Sequence, residues 1–336
     1  MKLMTMNRRT SMFRLLGTTL LALGALTSAY AQTEAQKQLG SDRFTIVSPF
    51  PPGGPVDTLA RILSDGLAKR YGQVAVVDNA AGAAGNIGMD RVKRAKGDGH
   101  TLLVVPAGNL TINPTLMPNF PFNIEKDFVP VTMLAKAPNV LVAAPGAGIK
   151  SAKDLVAQAK AKPGSLSYAS PGVGSGLHLA GELFKQQAGV DLIHVPYKGT
   201  APALNDVLGG VVPLMFSNLP GTLQFIKSGK LVALGITDTR RTPVAPEIPT
   251  LAEQGIQGVN VTSWYGLLAP AGTPPAVVEQ LAKDAAEMLA QPEVRERLQA
   301  QGMTASTMKP AEFAAAMRDE TKVWAQIIKA RNIVAE

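Results

Sequence analysis

The 336-residue chain has no cysteine, which excludes disulfides, thiol nucleophiles, thiol–disulfide redox pairs and zinc–thiolate sites. A hydrophobic share of 46% suffices for a globular core, and the residues after position 31 fill two domains at about 150 residues each. The formal charge of +8 falls to +4 without the four basic residues of that leader, a mild excess suited to small anions and lacking a basic stripe for nucleic acid.

Residues 1–31 read as a secretory signal peptide cleaved after Ala31. Lys2, Arg8, Arg9 and Arg14 form its charged start, Leu15 to Leu26 its apolar segment, and Ala29-Tyr30-Ala31 its cleavage site. The apolar segment is shorter than the roughly 20 residues that span a bilayer, so the chain is expected to be exported and soluble. Arg8-Arg9 leaves a twin-arginine route open beside the general one.

Gln32–Asp42 reads as a flexible terminus. Phe44–Ser48 is a predicted strand, and Thr58–Tyr71 a predicted helix with Leu59, Ile62, Leu63 and Leu67 facing inward. Between them runs PFPPGGPVD: Pro51, Pro52 and Pro55 stiffen the loop, Gly53 and Gly54 permit positive φ, and Asp57 falls at the expected helix N-cap. A helix start exposes unpaired N–H groups and about half a positive charge, so this loop is suited to hold an anion; a rigid strand–helix connection is the alternative. Val74–Val77 is a second strand, followed by the small-residue loop DNAAGAAGNIGM and a short helix at Ile87–Ala95. Leu102–Val105 is a third strand, and Asn109–Lys126 a loop with short helical turns. Phe128–Ala144 is extended structure leaving the first lobe.

Ser151 opens the next helix. Strands at Leu166–Ala169, Ile193–Tyr197, Val212–Phe216 and Leu231–Ile236 then alternate with helices, among them Leu177–Ala188, Pro202–Leu208 and Leu223–Lys227. SPGVGSGLH, from Ser170 to His178, is another glycine-rich strand-to-helix loop. Thr239–Thr250 reads as a crossing back to the first lobe, Ser263–Pro270 as a strand, and Val277–Leu289, Glu293–Gln301 and Ala311–Arg331 as closing helices. The implied layout is residues 32–135 with 250–336 as one α/β lobe and 136–249 as the other, with ligand loops beyond the carboxyl ends of the strands in a shared cleft.

Catalytic readings find little support. Ser175 and His178 share one side of a helix start, but Gly174-Ser175-Gly176 lacks the nucleophile turn and third orienting group of a serine hydrolase. Ser175 reads as an N-cap or a ligand donor. His100, His178 and His194 make no metal-binding pair; His100 reads as a surface turn residue, His194 as half-buried and structural, and His178 as the one near a candidate site. GAAGNIG departs from a dinucleotide fingerprint at Ala83, and neither a Walker loop nor a carboxylate pair at fixed spacing is present. No metal, no cofactor and no enzymatic activity are expected.

The segments PFPPGGPVDTLAR, NAAGAAGNIG, PYKGTAPALNDVLGG and SWYGLLAPAGTPP, in that order, resemble the tripartite tricarboxylate transporter substrate-binding receptors, also called Bug or TctC proteins. The likeness runs from Arg43 to Ile333, with Ala84 where these receptors often have glycine. It implies a two-lobe periplasmic-binding-protein type II (Venus-flytrap) α/β fold, each lobe a mainly parallel sheet flanked by helices. It also implies a monomeric periplasmic receptor that closes on a small organic carboxylate and delivers it to a permease of one large and one small membrane subunit. The carboxylate would be held by backbone amides and ordered water. Carried over position by position, the ligand-binding residues are Gly53, Gly54, Pro55, Asp57, Gly85, Asn86, Ala107, Asn109, Ser170, Gly174, Ser175, His178, Tyr197, Lys198, Thr200, Ala201, Ser217 and Asn218.

Gly53, Gly54 and the amides before Thr58 are expected to grip the inner carboxylate. Asn109, Ser170 and Ser175 would donate from side chains, and Tyr197, Lys198 and Thr200 would define the far end, where few charges favour a neutral or aromatic tail. Lys198 is open between ligand contact and solvated rim. Asp206 reads as a structural partner, and Trp264 and Trp324 as core. Two rival readings stand beside this one: a receptor signalling to a membrane sensor without a permease, and an enzyme acting on a carboxylate in the same cleft.

Overall fold

The computed structural model describes residues 34–330 and 333–334, so the leader, its cleavage point after Ala31 and the end of the last expected helix at Arg331 lie outside the described residues. Residues 34–39 are helical instead of forming a flexible terminus. Ala35 and Leu39, four apart on one face, are 3% and 0% exposed and join the core. So short a segment shows too little periodicity for its apolar face to stand out.

The chain runs β1 (Phe44–Ser48), α1 (Pro55–Tyr71), β2 (Ala75–Asn79), α2 (Asn86–Lys93), β3 (Thr101–Pro106) and β4 (Phe128–Ala137). It continues with β5 (Asn139–Ala143), α3 (Ala152–Ala161), β6 (Ser167–Ser170), α4 (Gly176–Ala188), β7 (Ile193–Pro196) and α5 (Thr200–Leu208). Next come β8 (Leu214–Asn218), α6 (Leu219–Lys227), β9 (Val232–Ile236) and β10 (Ser263–Pro270). It closes with α7 (Pro275–Ala290), α8 (Pro292–Ala300), β11 (Thr304–Ala305) and α9 (Pro310–Ala330).

Two sheets result, ordered β11-β4-β10-β3-β1-β2 and β7-β6-β8-β5-β9. Apart from the two-residue β11, they share one plan. β2, β1 and β3 are mutually parallel, as are β7, β6 and β8, and one reversed strand then separates that group from the last. The reversed strands are β10 in the first sheet and β5 in the second. Each is the strand by which the chain enters from the other sheet. β4 ends at the shared face and β5 begins there; β9 and β10 repeat the crossing in the other direction. A strand that begins where the others finish must run against them. Apart from β11, which pairs antiparallel with β4, the remaining strands of each sheet run together, so the mainly parallel expectation holds.

Leu59, Ile62, Leu63 and Leu67 of α1 pack with Phe44, Ile46, Leu102 and Val104 of the first sheet and with Val277 and Leu281 of α7. Burying each such side chain contributes about 1.5–3 kcal/mol before entropy is counted. The second sheet buries Leu141, Tyr168, Leu214 and Phe216 against Leu179, Leu183 and Phe184 of α4. α9 ties the two halves together, with Phe313 and Met317 beside β3 and β10 and Trp324 and Ile328 in the core of the second sheet. Contrary to its reading as a surface turn residue, His100 is 8% exposed and packs on Phe44 at 5.3 Å; His194, read as half-buried, is 7% exposed. Among the described residues no helix is long and apolar enough to cross a membrane, and no cluster of potential metal ligands occurs.

Candidate functional site

Four helices begin at one cavity. The N-caps are Gly54 of α1, Ser175 of α4, Gly199 of α5 and Asn218 of α6, and all four residues line it. Each cap follows the carboxyl end of a strand: β1, β6, β7 and β8. Ala107 and Gly108, just beyond β3, complete the ring. The first-turn amides of a helix have no partner within it and carry about half a positive charge. No lysine, arginine or histidine is among the described residues lining this space of ≈ 920 Å³, counted out to its mouth. Any attraction for an anion there therefore comes from main-chain dipoles and not from side-chain cations. Phe50, Val56, Ile112, Leu177, Val261 and Trp324 make much of the remaining wall apolar.

The first loop differs from the sequence reading in one respect. Gly54, not Asp57, is the N-cap, with an extended φ of −91°, while Gly53 alone takes the left-handed region at +92°. Asp57 lies in the first turn, 5% exposed, and accepts from the Gly53 N–H (3.1 Å), Arg61 Nε (2.9 Å) and Asn79 Nδ2 (3.0 Å). Burial works to raise its pKa; the hydrogen bonds from Arg61, Gly53 and Asn79 outweigh that and hold the carboxyl below its usual range. Asp57 thus braces the loop from behind and occupies the Gly53 amide. Neither residue lines the cavity.

Of the other residues named from the sequence, Pro55, Ala107, Asn109, Gly174, Ser175, Thr200, Ala201 and Asn218 line the cavity together with Gly54. Ser175 Oγ caps α4 by accepting the His178 N–H (3.1 Å) and donates to the Gly172 carbonyl (2.7 Å). Asn109 Nδ2 donates to Ala84 O at 2.8 Å, and Asn218 Nδ2 to Asn139 Oδ1 and Ser263 Oγ, both at 2.8 Å. Gly85, Tyr197 and Lys198 border an outer pocket of ≈ 610 Å³ that shares Phe50, Ala84, Pro171, Gly172 and Val173 with the inner one. Tyr197 O–H donates to Asp206 at 2.6 Å. Asn86, Ser170, His178 and Ser217 line neither space. Ser170 and Ser217 are 0% exposed and His178 is 1%, all behind the loops that form the wall.

The back wall was not anticipated. Glu320, the one acidic residue among the described lining, accepts from Trp264 Nε1 (2.5 Å), Trp324 Nε1 (3.0 Å) and Thr111 Oγ1 (3.4 Å). Trp324 is core, as read, and also wall. Glu320 and Trp324 are four apart on α9, a spacing visible in the sequence, yet nothing local indicates that this face meets the cleft. Tyr265 Oη and Asn113 Oδ1, on residues 2% and 1% exposed, also belong to the lining and have no hydrogen-bond partner among the described residues. Burial pushes the Tyr265 hydroxyl up, so it stays a donor. Unpartnered polar atoms in a cavity wall are matched by a guest or by water. Across the cleft the lips nearly touch: a Cβ on Gly108 would stand 2.8 Å from Gly174 O, and one on Gly199 3.1 Å from Pro51 Cδ.

The tripartite tricarboxylate transporter family receptor model matches residues 59–333. The periplasmic binding protein BugD is 34% identical, with a TM-score of 0.83 over 88% of this chain and 99% of its own. An R. palustris protein solved with adipate is 33% identical, with a TM-score of 0.84 over 88% and 98% of the two chains. MatC from Rhodopseudomonas palustris, with bound malate, is 32% identical, with a TM-score of 0.81 over 86% and 99%.

Proposed function

The chain belongs to the tripartite tricarboxylate transporter receptor family of periplasmic solute-binding proteins, and from that premise we propose that its cleft captures a small organic carboxylate for delivery to a two-subunit membrane permease. The observation that carries this reading is the convergence of four helix N-caps on a cavity whose described lining holds no cationic side chain. A carboxylate there exchanges water for backbone N–H donors, each charge-assisted bond contributing about 1.5–3 kcal/mol. Neutral donors also leave the guest free of a fixed ion pair, which suits a receptor that must release it. The two bodies that close on it are built on the two sheets; residues 250–261 pack with the second through Leu251, Ile256, Val259 and Val261, and α9 joins both.

The structures with adipate and malate support a carboxylate as guest. Glu320 is held by two indoles and a hydroxyl and has no acid–base partner among the described lining residues, which supports binding without turnover. The test is a thermal-shift screen of carboxylic acids on protein unfolded, dialysed and refolded to remove retained guest. A binder at 100 times its Kd stabilises the fold by about 2.7 kcal/mol. A flat response to every carboxylate tried removes the reading. Capture of the two permease subunits from solubilised membranes, strengthened by that binder, tests the delivery step.

A further inference from the structure

We propose that His178 and His194 are positioning residues: stacked behind the β6–α4 loop, the neutral pair holds the Gly172 and Gly174 amides in the conformation that lines the cleft. The inference rests on the carboxylate-receptor reading for its binding consequence. Its structural half stands without any guest.

The two rings stack 4.3 Å apart at an interplanar angle of 21°, and Tyr168 stacks on His194 at 4.9 Å and 25°. His178 Nδ1 accepts from the Gly174 N–H at 3.4 Å. His194 Nε2 shares a 2.7 Å hydrogen bond with Ser170 Oγ, which also accepts the Gly172 N–H at 3.2 Å. Each imidazole therefore governs one glycine amide, His178 directly and His194 through a serine. Gly172 and Gly174 sit at φ +143° and +75°, backbone that needs fixing because glycine alone does not prefer it over the alternatives. Both glycines line the cavity; neither histidine does.

Neutrality is built into the pair. To accept from Gly174, His178 must leave Nδ1 bare and carry its proton on Nε2. A second proton would set two donors against each other. Glu182 and Lys185 of α4 are the charged groups that act on the rings; they are bonded to each other at 3.0 Å, and Glu182 also accepts from Tyr168 O–H at 2.8 Å. Burial lowers the pKa of His178 to about 4 and of His194 to about 3; Lys185 acts the same way on both rings, the neighbouring imidazole does so on His194, and Glu182 opposes them there.

His178→Phe keeps a stacked ring and removes the acceptor; His178→Asn restores an oxygen acceptor near the Nδ1 position without a titrating ring. The experiment records ¹⁵N–¹H spectra of each ligand-free mature protein, then titrates it with adipate and with malate at pH 7. His178→Phe is expected to move the Gly174 amide resonance and to weaken whichever dicarboxylate binds by at least tenfold. His178→Asn is expected to bring both back to within threefold of wild type. Unmoved Gly174 resonance and affinity in His178→Phe overturn the proposal, as does a His178→Asn variant no better than His178→Phe. If His178→Phe does not fold, Ser170→Ala decides in its place: a displaced Gly172 resonance with at least fivefold weaker binding supports the relay, and an unchanged protein refutes it. Wild type that binds no carboxylate refutes the receptor reading, while the amide resonances still report on the loop.

Discussion

Gly54→Val separates the binding role of the first loop from its folding role. At φ −91° and ψ 173° the Gly54 backbone suits any L-residue, and an added Cβ meets nothing within 4 Å. The isopropyl group is therefore accommodated in open space beside the cleft that Gly54 lines, and is expected to narrow it. Replacing an N-cap glycine by valine costs about 1 kcal/mol of stability at most, because glycine caps without a side-chain acceptor. Binding suffers far more. Excluding the guest carboxylate from the α1 start removes two charge-assisted hydrogen bonds, about 3–6 kcal/mol, or roughly two to four orders of magnitude in Kd. The assay is calorimetric titration with the carboxylate that gives the largest thermal shift, alongside a melting curve by circular dichroism. A folded Gly54→Val protein with wild-type Kd would refute the placement of the guest at this helix start. Gly53→Ala is the counterpart: its φ of +92° penalises any Cβ, so the melting temperature falls while Kd stays within threefold.

Both tryptophans of the chain donate to Glu320, so Glu320→Gln, which offers one indole a donor in place of an acceptor, is expected to red-shift intrinsic emission and lower stability by about 1–3 kcal/mol; unchanged emission contradicts the wall described here. Asp284, 0% exposed, accepts from Tyr71 O–H (2.5 Å), Gln280 Nε2 (2.6 Å) and Arg70 Nε (2.8 Å). Asp284→Ala takes the acceptor from Tyr71 and Gln280 and leaves Arg70 paired with Glu287 alone, so it should cost about 1–3 kcal/mol in urea unfolding, with no change in Kd. The histidine pair fixes the sign of a pH effect: with folded pKa values of about 4 and about 3 against 6.5 for the ordinary side chain, the unfolded chain takes up protons first as pH falls. Their stability contribution is complete above about pH 6.5 and declines toward pH 4, so the urea midpoint of wild type should drop more steeply over that window than that of His178→Asn.

The three Gly-rich loops were legible because each change of period, from an apolar strand to an amphipathic helix, is local. The strands β1 and β10 were read residue for residue, and α1 began three residues earlier than read because Pro55 suits a first helical position. The direction of side chains around a loop is not local. Ser170 and His178 stand in a motif beside the cleft, but strand pairing of β6 with β7 turns Ser170 toward His194, and it does not line the cavity. Asp57 shows the same limit, since its partner Asn79 arrives from β2, 22 positions away. Glu320 and Tyr265 join the wall only because α9 and β10 return from the far end of the chain, a tertiary event with no signature in either segment.

A crystal structure of the protein with its carboxylate bound is the most direct test of the central claim. Both oxygens of one carboxylate are expected to accept, directly or through a single ordered water, from backbone N–H groups in the first turns of α1, α4 or α5, at about 2.7–3.2 Å. A carboxylate paired instead with Lys198 or another side-chain cation, with those amides turned to solvent, would contradict it.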